Sequence, residues 1–189
     1  MRVLALDLSM SATGWALFAD GEERPTVGVW EELASSAEYR ARAYLRLQQN
    51  IVDLHRLGAI DHICWEKPLD YSAIEKMDRH NKPEVPIVLH GLAEHCLSLS
   101  EALCIARSNV PAGTWRRHFL GAMPRTDEVR DLKLMAIKRA EALGLTVPRT
   151  RTGAKSHDAA EAFGILDYKL NALRIMPPWH RELVLTGAS

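Results

Sequence analysis

The sequence lacks the motifs that build zinc sites and disulfide frameworks. Its three cysteines, Cys64, Cys96 and Cys104, form no CxxC pair and are odd in number. Each sits in an apolar context, where a thiol behaves as a small hydrophobe. The eight histidines contain no HExxH pattern, so neither zinc nor redox chemistry is indicated. No apolar run approaches the roughly 18 residues of a membrane span. The N-terminus opens directly on a strand-like segment, without the basic region, apolar stretch and cleavage site of a secretion signal. The expectation is a cytoplasmic protein with no membrane partner. Internal repeats and low-complexity segments are absent. An excess of charge is missing too, because 24 Lys and Arg balance 24 Asp and Glu. Bulk charge therefore does not announce a nucleic-acid binder.

What is present is an ordinary globular composition, 47% apolar and 25% charged over 189 residues. That suits one domain, or a domain with a tail, around a single sizeable core. Val3–Asp7 reads as a buried strand, Ser9–Gly14 as a turn, and Trp15–Phe18 as the returning strand of a hairpin. Thr26–Trp30 supplies a third strand and completes an antiparallel meander. Ser35–Leu57 reads as a long helix stopped by Gly58, with Ala37, Ala41, Tyr44, Leu45, Ile51, Val52 and Leu54 as its apolar positions. Asp61–Glu66 is a fourth strand. Tyr71–Pro86 reads as a short helix and exposed loop, Ile87–Ser100 as a helix and Ala102–Arg107 as a fifth strand. A short helix ends near Gly121, and Thr126 is the expected N-cap of a helix over Asp127–Leu143. Lys155–Leu170 is the last helix, and Pro177-Pro178 opens a C-terminal tail, packed or mobile. Strands interleaved with helices give an α/β pattern.

Acidic residues stand where these apolar elements end or begin. Asp7 closes Val3-Leu4-Ala5-Leu6, and Glu66 closes His62-Ile63-Cys64-Trp65. Asp158 opens a small-residue helix three positions before Glu161, so the two share one helix face. Each has a plain alternative: a turn cap, an arginine partner, or a solvated helix start where acids favour the dipole. Together they say more. Four carboxylates converging from separate segments repel one another and require a compensating cation. Mg²⁺ prefers such hard oxygen ligands and completes its shell with water and phosphate oxygens. Two ions about 4 Å apart suit in-line phosphoryl displacement. The arrangement demands that the first and fourth strands be adjacent and that the last helix pack over the same edge. Basic residues cluster nearby in sequence, at Trp115-Arg116-Arg117-His118 and at Arg149, Arg151 and Lys155, with no acid between Pro148 and Lys155.

The combination resembles the RuvC-type Holliday junction resolvases of the ribonuclease H-like superfamily, in particular the shorter, phage-type members. It comprises a strand ending in Asp7, a Ser/Thr turn, Gly14 leading the next strand, Glu66 after a further strand, and the terminal Asp158-Ala159-Ala160-Glu161 helix. The match runs from Met1 to about Leu170. It implies a ribonuclease H-like α/β fold: a five-stranded mixed sheet with an antiparallel N-terminal meander and helices on both faces. Residues 1–170 would form the nuclease domain and 171–189 the tail. By resemblance, Asp7, Glu66, Asp158 and Glu161 are the catalytic metal ligands, although the family's usual residue at the last position is Asp. His157 becomes a candidate helper beside the scissile phosphate.

The resemblance further implies a crossover junction endodeoxyribonuclease of DNA recombination and repair. It would use two Mg²⁺ ions per site, replaceable by Mn²⁺, and no nucleotide cofactor. Such an enzyme acts in a bacterial cell or a phage-infected host as a homodimer on four-way or other branched DNA. A symmetric junction asks for two sites related by a two-fold axis, and the Ile87–Leu99 helix is a candidate interface. Leu69 and Tyr71, in the loop after Glu66, are candidates to contact the junction centre. Lys76, Arg116, Arg117, Arg149, Arg151 and Lys155 are candidate phosphate contacts, which position DNA without reading its sequence. Two alternatives share the fold: a less structure-selective nuclease for branched DNA or RNA–DNA hybrids, and a non-catalytic nucleic-acid-binding protein. An actin-like ATPase or sugar kinase would need a second glycine-rich phosphate loop, which the chain lacks.

Overall fold

The computed structural model describes residues 1–31, 39–69, 84–121 and 129–180. Five strands are formed by β1 (Arg2–Asp7), β2 (Ala12–Ala19), β3 (Thr26–Glu31), β4 (His62–Glu66) and β5 (Ala106–Val110). Five helices are α1 (Arg40–Leu57), α2 (Glu84–Ala102), α3 (Ala112–Leu120), α4 (Val129–Ala142) and α5 (His157–Ala172). The strands make one sheet in the order β3-β2-β1-β4-β5. β1, β2 and β3 pair antiparallel, whereas β4 runs parallel to both β1 and β5.

β1 explains the layering. Successive strand residues point to opposite faces, and β1 is apolar on both. Val3 and Ala5 enter a core shared with Trp115 and Phe119 of α3, Ala136 and Ala140 of α4, and Phe163 of α5. Leu4 and Leu6 enter a second core with Ala43, Leu47 and Ile51 of α1 and Val88, Leu92 and Cys96 of α2. Helices therefore cover both faces of a five-stranded mixed sheet. The C-terminal segment joins the first core. Trp179 is fully buried, edge-on to Phe18 at 5.5 Å between ring centroids and 5.3 Å from Phe163.

α5 lies closest to the sheet because its residues there are small. A Cβ added to Gly14 of β2 would come within 1.9 Å of the Asp158 carbonyl oxygen. The first turn of α5 thus rests directly on the strand. One added to Gly164 would fall 2.8 Å from the rings of both Trp115 and Phe119, so the aromatic side chains of α3 seat directly on α5.

Several boundaries differ from expectation. The fifth strand is Ala106–Val110, not Ala102–Arg107. The apolar run Leu103-Cys104-Ile105 instead closes the turn after α2, with Cys104 at φ 54° and the Ile105 amide donating to Ser100 O. Leu103 and Ile105 pack into the second core, so their hydrophobicity serves a helix stop. The true β5 is an edge strand, polar along most of its length. α2 begins at Glu84 and includes Pro86, which the first helical turn tolerates because its missing N–H has no partner there anyway. α5 begins at His157, after Ser156 caps it by accepting from the Ala159 amide at 3.2 Å. α1 buries Ala43, Leu47 and Ile51, and Leu45, read as core-facing, is 67% exposed. Ser35, Tyr71, Lys76 and Thr126 lie outside the described residues.

Candidate active site

The carboxyl ends of β1 and β4 are the foundation of the site. Leu6 pairs with Trp65 across the parallel β1–β4 ladder, which leaves Asp7 and Glu66 side by side where both strands run out. Ligand sites in open α/β sheets form at such ends. Across the antiparallel ladder Asp7 faces Gly14, the residue on which α5 rests. The β1–β2 turn is closed by the buried Thr13, whose hydroxyl donates to Ser9 O and accepts from Ser9 N. Asp7, Glu66 and the start of α5 are thereby fixed at one edge, as the sequence reading requires.

α5 contributes the other acids. One ligand atom each from His157, Asp158 and Glu161 lies within 4.8 Å of the others. Glu161 is only 5% exposed. Its carboxyl is raised above the ordinary value, first by loss of water and then by Glu66, against the opposing pull of Arg116, Lys133 and His157. Asp7 is pushed further, well above the usual carboxylate range. Loss of water is the largest cause, followed by the charges of Glu161, Glu66 and Asp158, while Arg116 opposes them. Part of Asp7 still reaches solvent, so mutual repulsion weighs heavily beside burial. The charges of Glu66, Asp158 and Glu161 thus all bear on Asp7, and that of Glu66 bears on Glu161 as well.

Two neighbours from α3 complete the wall. Glu66 pairs with Val110 at the end of β5, and α3 starts directly after it, which carries Trp115 back over β4. The Trp115 indole N–H donates to Glu66 Oε2 at 2.7 Å. Arg116 Nη2 lies 3.4 Å from the same oxygen and 3.2 Å from Glu161 Oε1. Its guanidinium also lies 5.0 Å from the Trp115 ring centroid. A single cation thus bridges two of the four acids. On α4, Lys133 Nζ is 3.3 Å from His157 Nε2. His157 Nδ1 lies 2.7 Å from Asp158 Oδ1, out of line for a hydrogen bond, and together with Arg116 Nε it is buried without a partner.

The donor set fits a divalent cation of the magnesium type. Its donors are carboxylate oxygens with the His157 imidazole beside them, and no thiol among them. Arg116 Nε, buried without a hydrogen-bond partner, is a donor left for an acceptor oxygen such as that of a phosphate.

The remaining predicted contacts are dispersed. Arg117 is exposed on α3. Leu69 is exposed, and its carbonyl oxygen lies 2.8 Å from His90 Nε2. Arg149 donates to Gly153 O at 2.6 Å, Lys155 pairs with Glu141, and the Arg151 amide donates to the Glu31 carboxylate. These three shape a closed loop, with Arg149 bridged to Lys155, that leads into Ser156. Sequence reasoning missed Lys133 and the Trp115 indole. The only local signal for the latter was the Trp115-Arg116 pair itself.

Neither a protein-family model nor a curated protein matches the chain. Solved structures do. RuvC of T. thermophilus in complex with a Holliday junction substrate superposes with a TM-score of 0.63 at 14% identity, over 93% of this chain and 96% of that one. The yeast mitochondrial Holliday junction resolvase Ydc2 gives 0.54 at 14% identity, over 96% and 79%. The fowlpox virus Holliday junction resolvase gives 0.51 at 11% identity, over 92% and 99%. The chain therefore has the ribonuclease H-like fold of the RuvC-type resolvases.

Proposed function

We propose that this protein is a divalent-metal-dependent endonuclease that resolves four-way DNA junctions by paired, symmetric nicks. One observation carries the reading. Asp7 at one strand end lies within reach of the charges of Glu66, at the neighbouring strand end, and of Asp158 and Glu161 on one helix, at a single edge of a resolvase-type fold. The solved RuvC complex with a Holliday junction substrate supports the choice of DNA over other phosphodiesters.

In this reading the four carboxylates hold two Mg²⁺ ions, or Mn²⁺ in their place. When bound, such ions supply a nucleophile from water and stabilise the leaving oxygen of an in-line displacement. The chain's own groups do the rest. Trp115 fixes the rotamer of Glu66 by its indole hydrogen bond. Arg116, with Nε unpartnered and Nη2 between Glu66 and Glu161, is placed to orient a phosphate oxygen while screening the acids. His157, against Lys133 and Asp158, lies beside the same space and can position a water or a non-bridging oxygen. Arg117, Leu69 and the Arg149–Lys155 loop offer contacts further along the DNA. A homodimer would use the outward side of α2, where Val85, Ile87 and Leu97 are exposed.

The test incubates the protein and Mg²⁺ with a four-way junction, a flap, a linear duplex and an RNA–DNA hybrid of matched length. Symmetric nicks on the junction alone are expected. Equal cutting of the linear duplex would refute junction selectivity and favour the broader nuclease. Asp7→Asn is expected to abolish cleavage and keep junction binding by gel shift; a variant that still cuts removes the metal-site assignment.

A further inference from the structure

At the far end of α5, about two and a half turns beyond Asp158, the fold leaves a second polar constellation unused. A cavity of about 460 Å³ opens there, within the size range of small-molecule sites. His118 of α3, Asn171 of α5, Arg174 and His180 line it. Both imidazoles are held from behind by Asp167, which is 1% exposed. His118 Nε2 lies 3.1 Å from Asp167 Oδ2, and His180 Nε2 lies 2.7 Å from Oδ1, which also accepts from the Trp179 indole at 2.7 Å. Asp167 is an ionised acceptor, because these donors hold it down to about 2 despite its burial. Each Nε2 must therefore carry a hydrogen, and each ring's Nδ1 has no protein partner among the described residues. The Arg174 guanidinium and the Asn171 carboxamide likewise make no hydrogen bond or ion pair among the described residues.

Arg174 adds an independent sign. It stands at φ 60° in the turn that ends α5, where its amide donates to Asn171 O and the Ile175 amide to Leu170 O. Such a helix stop is ordinarily glycine or asparagine, and the left-handed backbone costs another residue on the order of 1 kcal/mol. Here an arginine takes the strained position and lines the cavity. Arg174 brings a fixed positive charge to the cavity, and the two carboxylate-backed imidazoles line it beside that charge, a setting that suits an anion. Ile175, Met176 and Pro177 supply an apolar wall beside it.

We propose that this cavity binds a phosphomonoester whose far end is a flat ring, such as a nucleoside monophosphate. The phosphate meets Arg174, His118 and His180, Asn171 donates from the side, and the ring lies on Met176 and its neighbours. The site is separate from the carboxylate cluster and does not rest on the nuclease reading.

The test titrates the full-length protein calorimetrically with adenosine monophosphate, adenosine and inorganic phosphate. EDTA at pH 6.5 keeps cations out of the acidic cluster. Adenosine monophosphate is expected to bind with a submillimolar constant, and the other two at least tenfold more weakly. Arg174→Gly suits the left-handed backbone, so it should keep or raise the melting temperature while weakening binding about tenfold or more, as loss of a charge-assisted contact does. Arg174→Lys should recover part of the loss. The C2–H proton signals of His118 and His180, and not that of His62, should shift on binding. Absence of binding by the wild type, equal binding by Arg174→Gly, or inorganic phosphate binding as tightly as the nucleotide would each overturn the proposal.

Discussion

Gly14→Ala should unseat α5 from the sheet. The added Cβ would lie 1.9 Å from the Asp158 carbonyl oxygen, 2.2 Å from its carbon and 2.8 Å from the Ala159 amide nitrogen. Real Cβ atoms essentially never come within 3.0 Å of such atoms. Since the obstacles are backbone, no side-chain rotation relieves them. Going from 1.9 Å to 3.0 Å requires α5 to withdraw from β2 by about 1.1 Å. Overpacking of this kind costs about 1–3 kcal/mol. The displaced turn also carries Asp158 and Glu161, and a misplacement of about 1 Å can cost about 10²-fold in rate. Urea denaturation measures the first effect as a lower midpoint at unchanged slope, and junction cleavage measures the second. Gly113→Ala is the reference. A Cβ there meets nothing within 4 Å, so it should be neutral or stabilise by up to about 1 kcal/mol. A Gly14→Ala protein with wild-type midpoint and wild-type cleavage would mean that α5 does not sit on the strand.

Other consequences are as direct. Asp167→Asn should lose about 2 kcal/mol at pH 7, from a carboxyl held at about 2 against 3.8 at roughly 1.4 kcal/mol per unit. Because the folded value is depressed, the deficit should be full at neutral pH and fade as pH falls from 3.8 toward 2; equal urea midpoints at pH 7 would count against the triple-donor network. Native protein treated with iodoacetamide at pH 8 should gain one adduct, at the exposed Cys104, and three after unfolding. Burial pushes Cys64 up to about 12 and raises Cys96 as well, so labelling of either in the folded state would contradict the packing. Asp7→Asn, measured without metal, should be more stable than the wild type at pH 7. The folded pKa of Asp7 is raised, so the penalty exists above the ordinary carboxylate value and vanishes below it; a less stable variant at pH 7 would deny the repulsion.

The sequence made the sheet edge readable because its evidence was local. Val3–Leu6 and Ile63–Trp65 are short apolar runs ended by one acid each, and parallel pairing of β1 and β4 turns those ends into neighbours. Asp158 and Glu161 announced themselves by a three-residue spacing among alanines. β5 misled for an equally local reason, since the most apolar residues near it terminate α2 while the strand itself is an edge and polar. Trp115 and Arg116 reach Glu66 and Glu161 across 45 to 50 positions of sequence, and no periodicity encodes such contacts. Lys133 is the same case: a basic residue on an amphipathic helix whose partner, His157, is set by how α4 packs on α5. Sequence pattern finds groups placed by their own element. It misses groups placed by the docking of two.

α5 carries both answers to the problem of a buried carboxylate. Asp167 and Glu161 are almost equally hidden, at 1% and 5% exposure. Burial raises both, yet Asp167 ends below its ordinary value and Glu161 above. Donors make the difference. Asp167 receives three, from Trp179, His118 and His180, which together outweigh desolvation. Glu161 has Arg116 Nη2, shared with Glu66, as its hydrogen-bond partner among the described residues, and it faces other acids. A carboxylate that the fold has satisfied fastens α3 and the C-terminal segment to the helix. One that the fold has left underpaired among like charges lowers stability for as long as no further cation arrives. Under the proposed function that further cation would be the metal ion, and on this helix the underpaired acid lies in the turns over β1 and β2, the end nearest Asp7 and Glu66.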